Sequence, residues 1–300
     1  MATLYRPARL QDLERADALV VHSINDLTER HGFGPMLGPS PPRFQLFSLK
    51  DDPAGLWVAE DGDQILGFAF SWVCGDLWFL AQLFVVPGQQ GSGIGNELLK
   101  RTLDHAQQSG ATNGALITFA FNSVSQGLYI RHGLFPRLPL YLLSVPSEGL
   151  RGRLQDAQFR CEPLQNNAAR LQILSQVDAK VLGISREKHH RFLIEDDAMR
   201  GVAFWAGDEF VGYAYVSSGG HIGPLAVVQP QAMGTAFRTA LNIAAEGGSA
   251  KVSVFLPGTS EATLGLALEH GMRITLPMML MSTRDFGDWR LYLPRNPGFM

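Results

Sequence analysis

The chain of 300 residues repeats itself, and the repeat keeps its order from one end to the other. Three blocks recur: YRPARLQDL at Tyr5 returns as FRCEPLQNN at Phe159, DQILGFAF at Asp63 as DEFVGYAY at Asp208, and IRHGLFPRLPLYLLS at Ile130 as LEHGMRITLPMMLMS at Leu268. The shift between partners decreases steadily along the chain, which is expected when both copies run in the same direction and the first has longer loops. Chance similarity does not preserve order across three blocks, so the sequence predicts two homologous domains.

The blocks also set the expected boundaries of these domains. We expect the first to span residues 1–146 and the second 158–284, with a junction in SEGLRGRLQDA (147–157). The 46% hydrophobic content is sufficient for a full core in domains of ordinary size. The last stretch, DFGDWRLYLPRNPGFM (285–300), matches neither copy.

Each copy has the pattern of a mixed α/β domain. In the first, two β-prone runs at 56–60 and 64–72 flank the turn signal DGD and predict a hairpin. The run LWFLAQLFVV (77–86) is almost wholly apolar, which predicts a strand buried on both faces. An apolar stripe at helical spacing then predicts a helix that ends at Gly110, followed by a strand at 115–121.

The remainder of the first copy completes this pattern. SVSQGLYIRHG (123–133) predicts a short helix with a glycine stop, and YLLS (141–144) a closing strand. A strand, a helix and a further strand in succession imply a right-handed crossover and locally parallel pairing. The predicted fold of each copy is therefore a mixed central sheet flanked by helices.

Composition excludes several functional classes. The net charge of −3, without a cluster of Lys or Arg, argues against a nucleic-acid partner. No apolar run is long enough to span a bilayer, and the first residues have no signal-peptide pattern. Cys74 and Cys161 are far apart and outside any CxxC, and His189, His190 and His221 have no ligand partners at useful spacing. We expect a cytoplasmic protein without a bound metal.

The stretch QGSGIGNELL (90–99) places three glycines between the predicted strand and the predicted helix. It fails the dinucleotide fingerprint G-x-G-x-x-G, since the last position is Asn96, and no lysine follows as a P-loop requires. Main-chain amides at a helix N-terminus suit a phosphate or pyrophosphate. The alternative is a tight turn that binds nothing.

The residues around these glycines resemble a known family. VVPGQQGSGIGNELL (85–99) is similar to the acyl-CoA loop of the GNAT superfamily of N-acetyltransferases, whose signature Gln/Arg-x-x-Gly-x-Gly/Ala is carried here by Gln90, Gly93 and Gly95. A second motif runs from Asn122 through Tyr129 to GLF at 133–135, and the resemblance covers the first domain in order. It implies two tandem GNAT-like domains, with acetyl-CoA as the cosubstrate.

The resemblance also implies a reaction and a set of site residues. The acetyl group would pass to the amine of a small molecule or amino acid by direct attack in a ternary complex; the alternative is a protein that binds acyl-CoA or a metabolite without catalysis. Tyr129 would be the general acid, although a packing role is the other interpretation. The residues implied to bind acyl-CoA are Phe84, Val85, Val86, Gln90, Gly91, Ser92, Gly93, Ile94, Gly95 and Asn122.

The resemblance implies a specific role for some of these acyl-CoA-binding residues. Main chain at Phe84–Val86 would pair with the pantetheine arm, and Val85 or Val86 would polarise the thioester carbonyl. Asn122 would bind the pantetheine region, although a helix N-cap is a sufficient explanation for it.

The general base is not evident in the sequence. The long strand often carries a carboxylate in this family, but LWFLAQLFVV has none. Candidates are Asp76, Gln82 and Glu29, and ordered water is an alternative. A histidine such as His132 can titrate near neutral pH and so act as a base. His270 has the same place in the second copy, however, which favours a structural role for His132.

The second copy has lost parts of the motif. In VVQPQAMGTAFRTAL (227–241) the bare signature persists, but the counterparts of Gly91 and Gly95 are Ala232 and Ala236, and Ala267 stands in place of the tyrosine. We expect this copy to be a structural or substrate-shaping half. The acceptor site is expected within residues 20–47 and 135–140, including an irregular Gly/Pro-rich loop, with Trp72, Trp78 and Phe135 either lining it or belonging to the core.

Overall fold

The structure is a computed structural model that describes residues 3–150, 154 and 159–300. The chain divides into two compact units. Unit 1 consists of Met1–Ile117, Phe121–Phe135 and Met281–Arg284, and unit 2 of Thr118–Ala120, Pro136–Leu280 and Asp285–Met300. The predicted junction at 147–157 lies partly outside the described residues, so the domain bounds stay a prediction.

Unit 1 has the hairpin, the long strand and the crossover that the sequence predicts. Its strands are β1 (Leu4–Pro7), β2 (Leu56–Asp61), β3 (Gln64–Cys74), β4 (Leu77–Val85) and β5 (Asn113–Phe119). Its helices are α1 (Leu13–Arg30), α2 (Arg43–Asp51), α3 (Ile94–Gln108) and α4 (Ser123–Arg131). The strands lie in the order β1-β2-β3-β4-β5, antiparallel except for the parallel pair β4–β5.

One core cluster of unit 1 lies where α3 covers the sheet. Ile94 and Leu98 of α3 are buried against Ala59, Leu66 and Ala69 of β2 and β3. This contact buries the apolar stripe of α3 and so fixes the position of the preceding loop. Trp72 and Trp78, for which the sequence left open a place in the acceptor site or in the core, are 1% and 0% exposed and belong to the core.

Strand β4 is only half buried, and the sequence expectation is wrong for its second half. Residues 77–80 are buried, whereas residues 81–85 are partly exposed. Pairing with β5 stops at Leu80↔Leu116, and the register with β3 shifts around Ala81, which leaves this residue as a β-bulge. Beyond the bulge, β4 and β5 separate; we call the open side of β4 at residues 83–85 the β4 gap.

Unit 2 contains the second copy and the closing strand of the first. Its strands are β6 (Phe135–Pro146), β7 (Arg160–Pro163), β8 (Met199–Ala206), β9 (Glu209–Ser217), β10 (His221–Val227), β11 (Lys251–Pro257), β12 (Arg273–Ser282) and β13 (Tyr292–Leu293). Its helices are α5 (Ala168–Leu182), α6 (Glu187–Ile194), α7 (Met233–Glu246) and α8 (Glu261–Glu269). The strand order is β12-β6-β11-β10-β9-β8-β7, with β13 paired to β10. No helix in the described residues has the length and apolarity needed to cross a membrane.

The two copies can be aligned by strand register as well as by sequence. In unit 1, Gly67 of β3 lies opposite Val85 of β4. In unit 2, Gly212 of β9 lies opposite Val227 of β10. Since Gly67 and Gly212 have the same place in the repeated block, Val85 and Val227 are structurally equivalent.

Candidate functional site

The glycine loop presents an exposed and conformationally unusual backbone. Gly91 and Gly93 have φ values of +86° and +95°, a region that residues with a Cβ rarely adopt. No other atom lies within 4 Å of a Cβ built at either position, so open space faces both glycines. Gly93 is the N-cap of α3, so the loop leads directly into the helix.

The loop leaves several main-chain donors available. The amide of Ser92 makes a long bond to Gln89 O (3.4 Å), and the first helical bond joins Glu97 N to Gly93 O (3.1 Å). Within the described part of the chain, the amides of Gly91, Gly93, Ile94 and Gly95 have no main-chain acceptor. A helix N-terminus with free amides and a positive dipole end is suited to a phosphate group.

One amide at the end of β4 also points away from the sheet. The amide of Val86 donates to Leu66 O at 2.9 Å, so Val86 faces β3. In an antiparallel ladder the neighbouring residue faces the opposite way, which turns the N–H and C=O of Val85 into the β4 gap. The carbonyl of Val85 confirms this direction, because it accepts from Ser23 Oγ at 3.3 Å and from Gln90 Nε2 at 3.2 Å.

Of the two valines that the sequence offers for polarising a carbonyl, Val85 therefore has the available amide. The side chain of Gln90 has a second role that the sequence did not show, since it ties the loop to the end of β4. The hydroxyl of Ser23 likewise ties α1 to the end of β4. Neither contact could be read from spacing, because both depend on how α1 and the loop pack beside β4.

Helix α4 lies against the first turn of α3. Its N-cap is Asn122, whose Oδ1 accepts from Ser125 N at 3.2 Å, so capping accounts for this side chain. A Cβ built on Gly95 would lie 3.6 Å from Val85 Cγ2 and 4.0 Å from Leu128 Cδ2. The structure thus brings together the end of β4, the loop and the helix that carries Tyr129.

Tyr129 itself is buried, with 6% of its surface exposed. Burial raises the pKa of its hydroxyl above the ordinary value, against a smaller lowering by a hydrogen bond with Ser125. The phenol is consequently protonated at neutral pH and can donate a proton. The position of Tyr129 next to Leu128 places it on the helix that borders Gly95.

His132 has a structural contact. Its Nε2 lies 2.9 Å from Asn96 Oδ1 and so joins the end of α4 to α3. Burial, with the nearby charges of Lys100 and Arg131, lowers the pKa of His132. The neutral ring is therefore favoured, and it makes the hydrogen bond to Asn96.

One of the candidate bases, Asp76, is not placed at the β4 gap. Asp76 accepts from Arg284 Nη2 at 2.7 Å and from Thr112 Oγ1 at 2.9 Å, at the opposite end of β4 from Val85. At about 3.3 Å per residue the strand separates these two residues by roughly 30 Å, which excludes Asp76 as the base. Glu29 is exposed near the end of α1. Gln82 lies on β4 beyond the bulge, and its Oε1 accepts from Gln45 Nε2 at 3.3 Å.

The Gly/Pro-rich segment after α1 is irregular, as predicted, but it is held in place. No helix or strand is assigned to residues 32–42. Asn25 of α1 accepts from the amides of Met36 (2.8 Å) and Leu37 (3.0 Å), which pins this loop to the helix. The rings of His31 and Phe33 each lie 4.7 Å from that of Phe121. The loop therefore contributes an aromatic surface beside α4.

Comparison with known proteins identifies the first copy. Residues 21–134 match the model of the Acetyltransferase (GNAT) family. This segment is similar to a GNAT domain. It contains β4, the glycine loop, Asn122 and Tyr129, so the resemblance inferred from the two motifs is confirmed.

A curated relative and two solved structures extend the comparison. Mycothiol acetyltransferase of Kocuria rhizophila is 36% identical over 87 residues, which are 26% of this chain and 29% of that protein's length. A Pyrococcus horikoshii protein, provisionally assigned as an acetyltransferase, has a TM-score of 0.77 at 17% identity, covering 99% of this chain and 96% of that one. A tandem GNAT protein from the clavulanic acid biosynthesis pathway has a TM-score of 0.62 at 14% identity, and the match covers 94% of this chain and 98% of that one. The tandem GNAT fold extends over the whole chain.

No metal centre is found in residues 3–150, 154 and 159–300. That part of the chain contains no group of three or more His, Cys, Asp or Glu side chains able to hold an ion. His189 and His190 instead lie buried in unit 2, where His190 bonds to Asp178 and Tyr215.

Proposed function

We propose that this protein is an acetyl-CoA-dependent N-acetyltransferase that acts through its GNAT domain and transfers the acetyl group to the amine of a small molecule or amino acid. The observation that carries the proposal is the outward-facing amide of Val85, which lies beside an exposed loop of free amides. The family match and the name of the mycothiol relative support acyl transfer to a small-molecule acceptor.

The residues present fit acetyl-CoA in two separate regions. The amides of Gly91, Gly93, Ile94 and Gly95 suit the pyrophosphate, with Ser92 and Gln90 completing the loop. The β4 gap suits the pantetheine arm, because extended main chain with an available amide at Val85 accepts a further strand-like partner. Phe84 and Val86 pair with β3 and support Val85 from behind, and Asn122, the cap of α4, would contact the pantetheine region.

Acetyl-CoA supplies an activated acetyl group when bound, and this chain's residues direct its transfer. Val85 N–H would donate to the thioester oxygen, which becomes more negative as the amine nitrogen attacks the carbonyl carbon. As the carbon–sulfur bond breaks, Tyr129 would give its proton to the departing sulfur. The attacking amine loses its proton to water, and Gln82, held by Gln45, is the polar side chain of β4 beyond the bulge that can orient this water.

Acceptor-dependent release of CoA tests this function. The intact protein would be incubated with acetyl-CoA and a panel of amino acids, amino sugars and other primary amines, and the free thiol and the N-acetyl product would be measured together. We expect equal amounts of both with at least one acceptor. Tight binding of acetyl-CoA without release of CoA under every acceptor would favour the non-catalytic binding protein.

The contribution of the loop can be tested with Gly93→Ala. A Cβ at φ +95° strains the backbone by about 1–2 kcal/mol, and the loop relieves this strain by leaving the conformation that aims its amides. Because binding must restore that conformation, acetyl-CoA affinity measured by calorimetry is expected to fall by roughly 5–30-fold. Thermal unfolding would show that the variant still folds.

Gly88→Ala is the matched control for this measurement. Gly88 lies in the same connection and also has open space around a built Cβ, but its φ is not positive. Its substitution should leave the affinity unchanged. Unchanged affinity in Gly93→Ala, or an equal loss in both variants, would remove the loop geometry from the explanation of binding.

A further inference from the structure

The segment that matches neither copy, residues 285–300, lies in the second copy's equivalent of the β4 gap. Strand β10 pairs with β11 at His221↔Ser253 and Ile222↔Val254, near its beginning. Further along β10, β13 of the segment pairs antiparallel with it at Leu225↔Leu293 and Ala226↔Tyr292. We call this position, beside residues 225–227, the β10 gap; the 285–300 segment fills it.

The hydrogen bonds of the β10 gap repeat those of β4 residue by residue. Val228 N donates to Val211 O at 2.9 Å, as Val86 N donates to Leu66 O at 2.9 Å. The preceding residue, Val227, therefore faces away from β9, as Val85 faces away from β3. Val227 N donates to Leu291 O at 3.0 Å. A carbonyl of the chain itself thus occupies the place that the proposed function gives to the thioester carbonyl.

The segment is anchored on both sides of this bond. Before it, Asp288 N donates to Val181 O at 2.7 Å. After it, the main-chain oxygen of Met300 accepts from Arg186 Nη1 and from Tyr292 Oη, each at 2.7 Å. Met300 and Phe299 are 0% and 1% exposed. Residues 291–294 and 299–300 are thereby buried in the core of unit 2.

Strand β10 also has a shape that admits the segment. A Cβ built on Gly223 would lie 2.6 Å from Pro294 O and 2.8 Å from Arg295 Cα. Such distances are shorter than real contacts, so the main chain at 294–295 can take its place because residue 223 has no side chain. His221 Nε2 adds a short hydrogen bond to Arg295 O.

We propose that the 285–300 segment is the built-in occupant of the second copy's acyl-CoA groove, where it binds as an added strand and excludes the cosubstrate. The chain is then a one-site protein despite its two GNAT folds. In unit 1, by contrast, no described segment pairs with β4 in the β4 gap. This inference rests on the proposed function, because the identity of the groove comes from the role assigned to Val85.

Hydrogen exchange of the intact protein, with and without saturating CoA, tests the proposal. We expect the amide of Val227 and the peptides covering 285–300 to be protected in the free protein and unchanged by CoA. The amide of Val85 should exchange rapidly in the free protein and become protected when CoA binds. Faster exchange in 285–300 on adding CoA, or an unprotected Val227 in the free protein, would overturn the proposal.

The same experiment separates this inference from the proposed function. If CoA leaves Val85 unprotected while Val227 and residues 285–300 stay protected, the proposed function fails and the occupancy of the β10 gap by the segment stands. If CoA protects Val85 and also releases the segment, the proposed function stands and the one-site inference fails.

A pair of variants tests the strand contact directly. The register predicts that Leu293 N donates to Leu225 O, and Leu293→Pro removes this donor. Exchange at Val227 and in 285–300 should then become roughly tenfold faster. Arg290→Ala is the control, because its side chain is 64% exposed and pairs with Asp288 only locally. Equal exchange in Leu293→Pro and the native chain would contradict the proposal.

Discussion

Replacing Tyr129 with phenylalanine is expected to lower kcat by about 10²–10⁴-fold, the range found for positioned acid–base groups. The ring would remain, so packing changes little, and the hydroxyl that protonates the departing thiolate would be lost. Binding of acetyl-CoA should stay nearly constant, since neither the loop amides nor Val85 depends on that hydroxyl. Steady-state kinetics and calorimetry together would measure the two effects separately.

Two controls make the Tyr129 result specific. Tyr5→Phe removes a phenol hydroxyl from the edge strand β1 and should leave kcat unchanged. Burial raises the pKa of Tyr129 above the ordinary value of 10.0, so its hydroxyl stays protonated up to at least pH 10. Tyr129 should therefore cause no loss of rate below pH 10. A Phe variant with native kcat would assign Tyr129 to packing alone.

The second large effect concerns a buried charge cluster in unit 2. Asp178 and Arg186 are 0% and 1% exposed, and the carboxylate accepts from Arg186 Nε at 2.8 Å. His190 Nε2 lies 3.0 Å from the same carboxylate, and Tyr213 Oη donates to its other oxygen. Burial alone would raise the pKa of Asp178, but the Arg186 guanidinium and the His190 contact outweigh it and hold the pKa below its usual range.

Asp178→Asn is expected to lower the free energy of unfolding by about 3–5 kcal/mol, because it leaves the Arg186 charge buried without its counter-ion. Arg186 also holds Met300, so the loss should extend to the 285–300 segment. Chemical denaturation at neutral pH measures the effect. The contribution of Asp178 is complete above the unfolded pKa of 3.8 and is lost as pH falls below it.

Glu187→Gln provides the matched control for this pair. Glu187 bonds to Arg191 one turn along α6 at 2.8 Å, but both side chains are about half exposed. Solvent screens such a pair, and its loss should cost less than about 1 kcal/mol. Equal and small effects in both variants would show that burial does not strengthen the Asp178 interaction.

The parts of this protein that the sequence predicted are those that depend on local pattern. The β-prone runs and turn signal of 56–72 predicted the β2–β3 hairpin, and the apolar stripe of 94–106 predicted α3 and the face that it buries. The order of repeated blocks predicted two homologous domains, and the resemblance carried by the motifs predicted the GNAT fold, with the glycine loop leading from β4 into α3. Each of these signals lies within a short stretch of chain.

The remainder depends on contacts between distant residues. LWFLAQLFVV is apolar except for Gln82, so its pattern does not indicate that pairing with β5 stops at Leu80 or that residues 81–85 become partly exposed. The choice of Val85 over Val86 required the register with β3. The 285–300 segment contains a strand of two residues, too short for a periodic signal, and its place on β10 is fixed by Val181, Arg186 and Gly223.

A crystal structure of the intact protein with acetyl-CoA tests the central claim most directly. The account predicts density for one molecule per chain, with its pyrophosphate on the amides of 91–95 and its thioester oxygen on Val85 N–H, and with residues 285–300 still on β10. Density for acetyl-CoA along β10, or its absence from the loop and the β4 gap at saturating concentration, would contradict it.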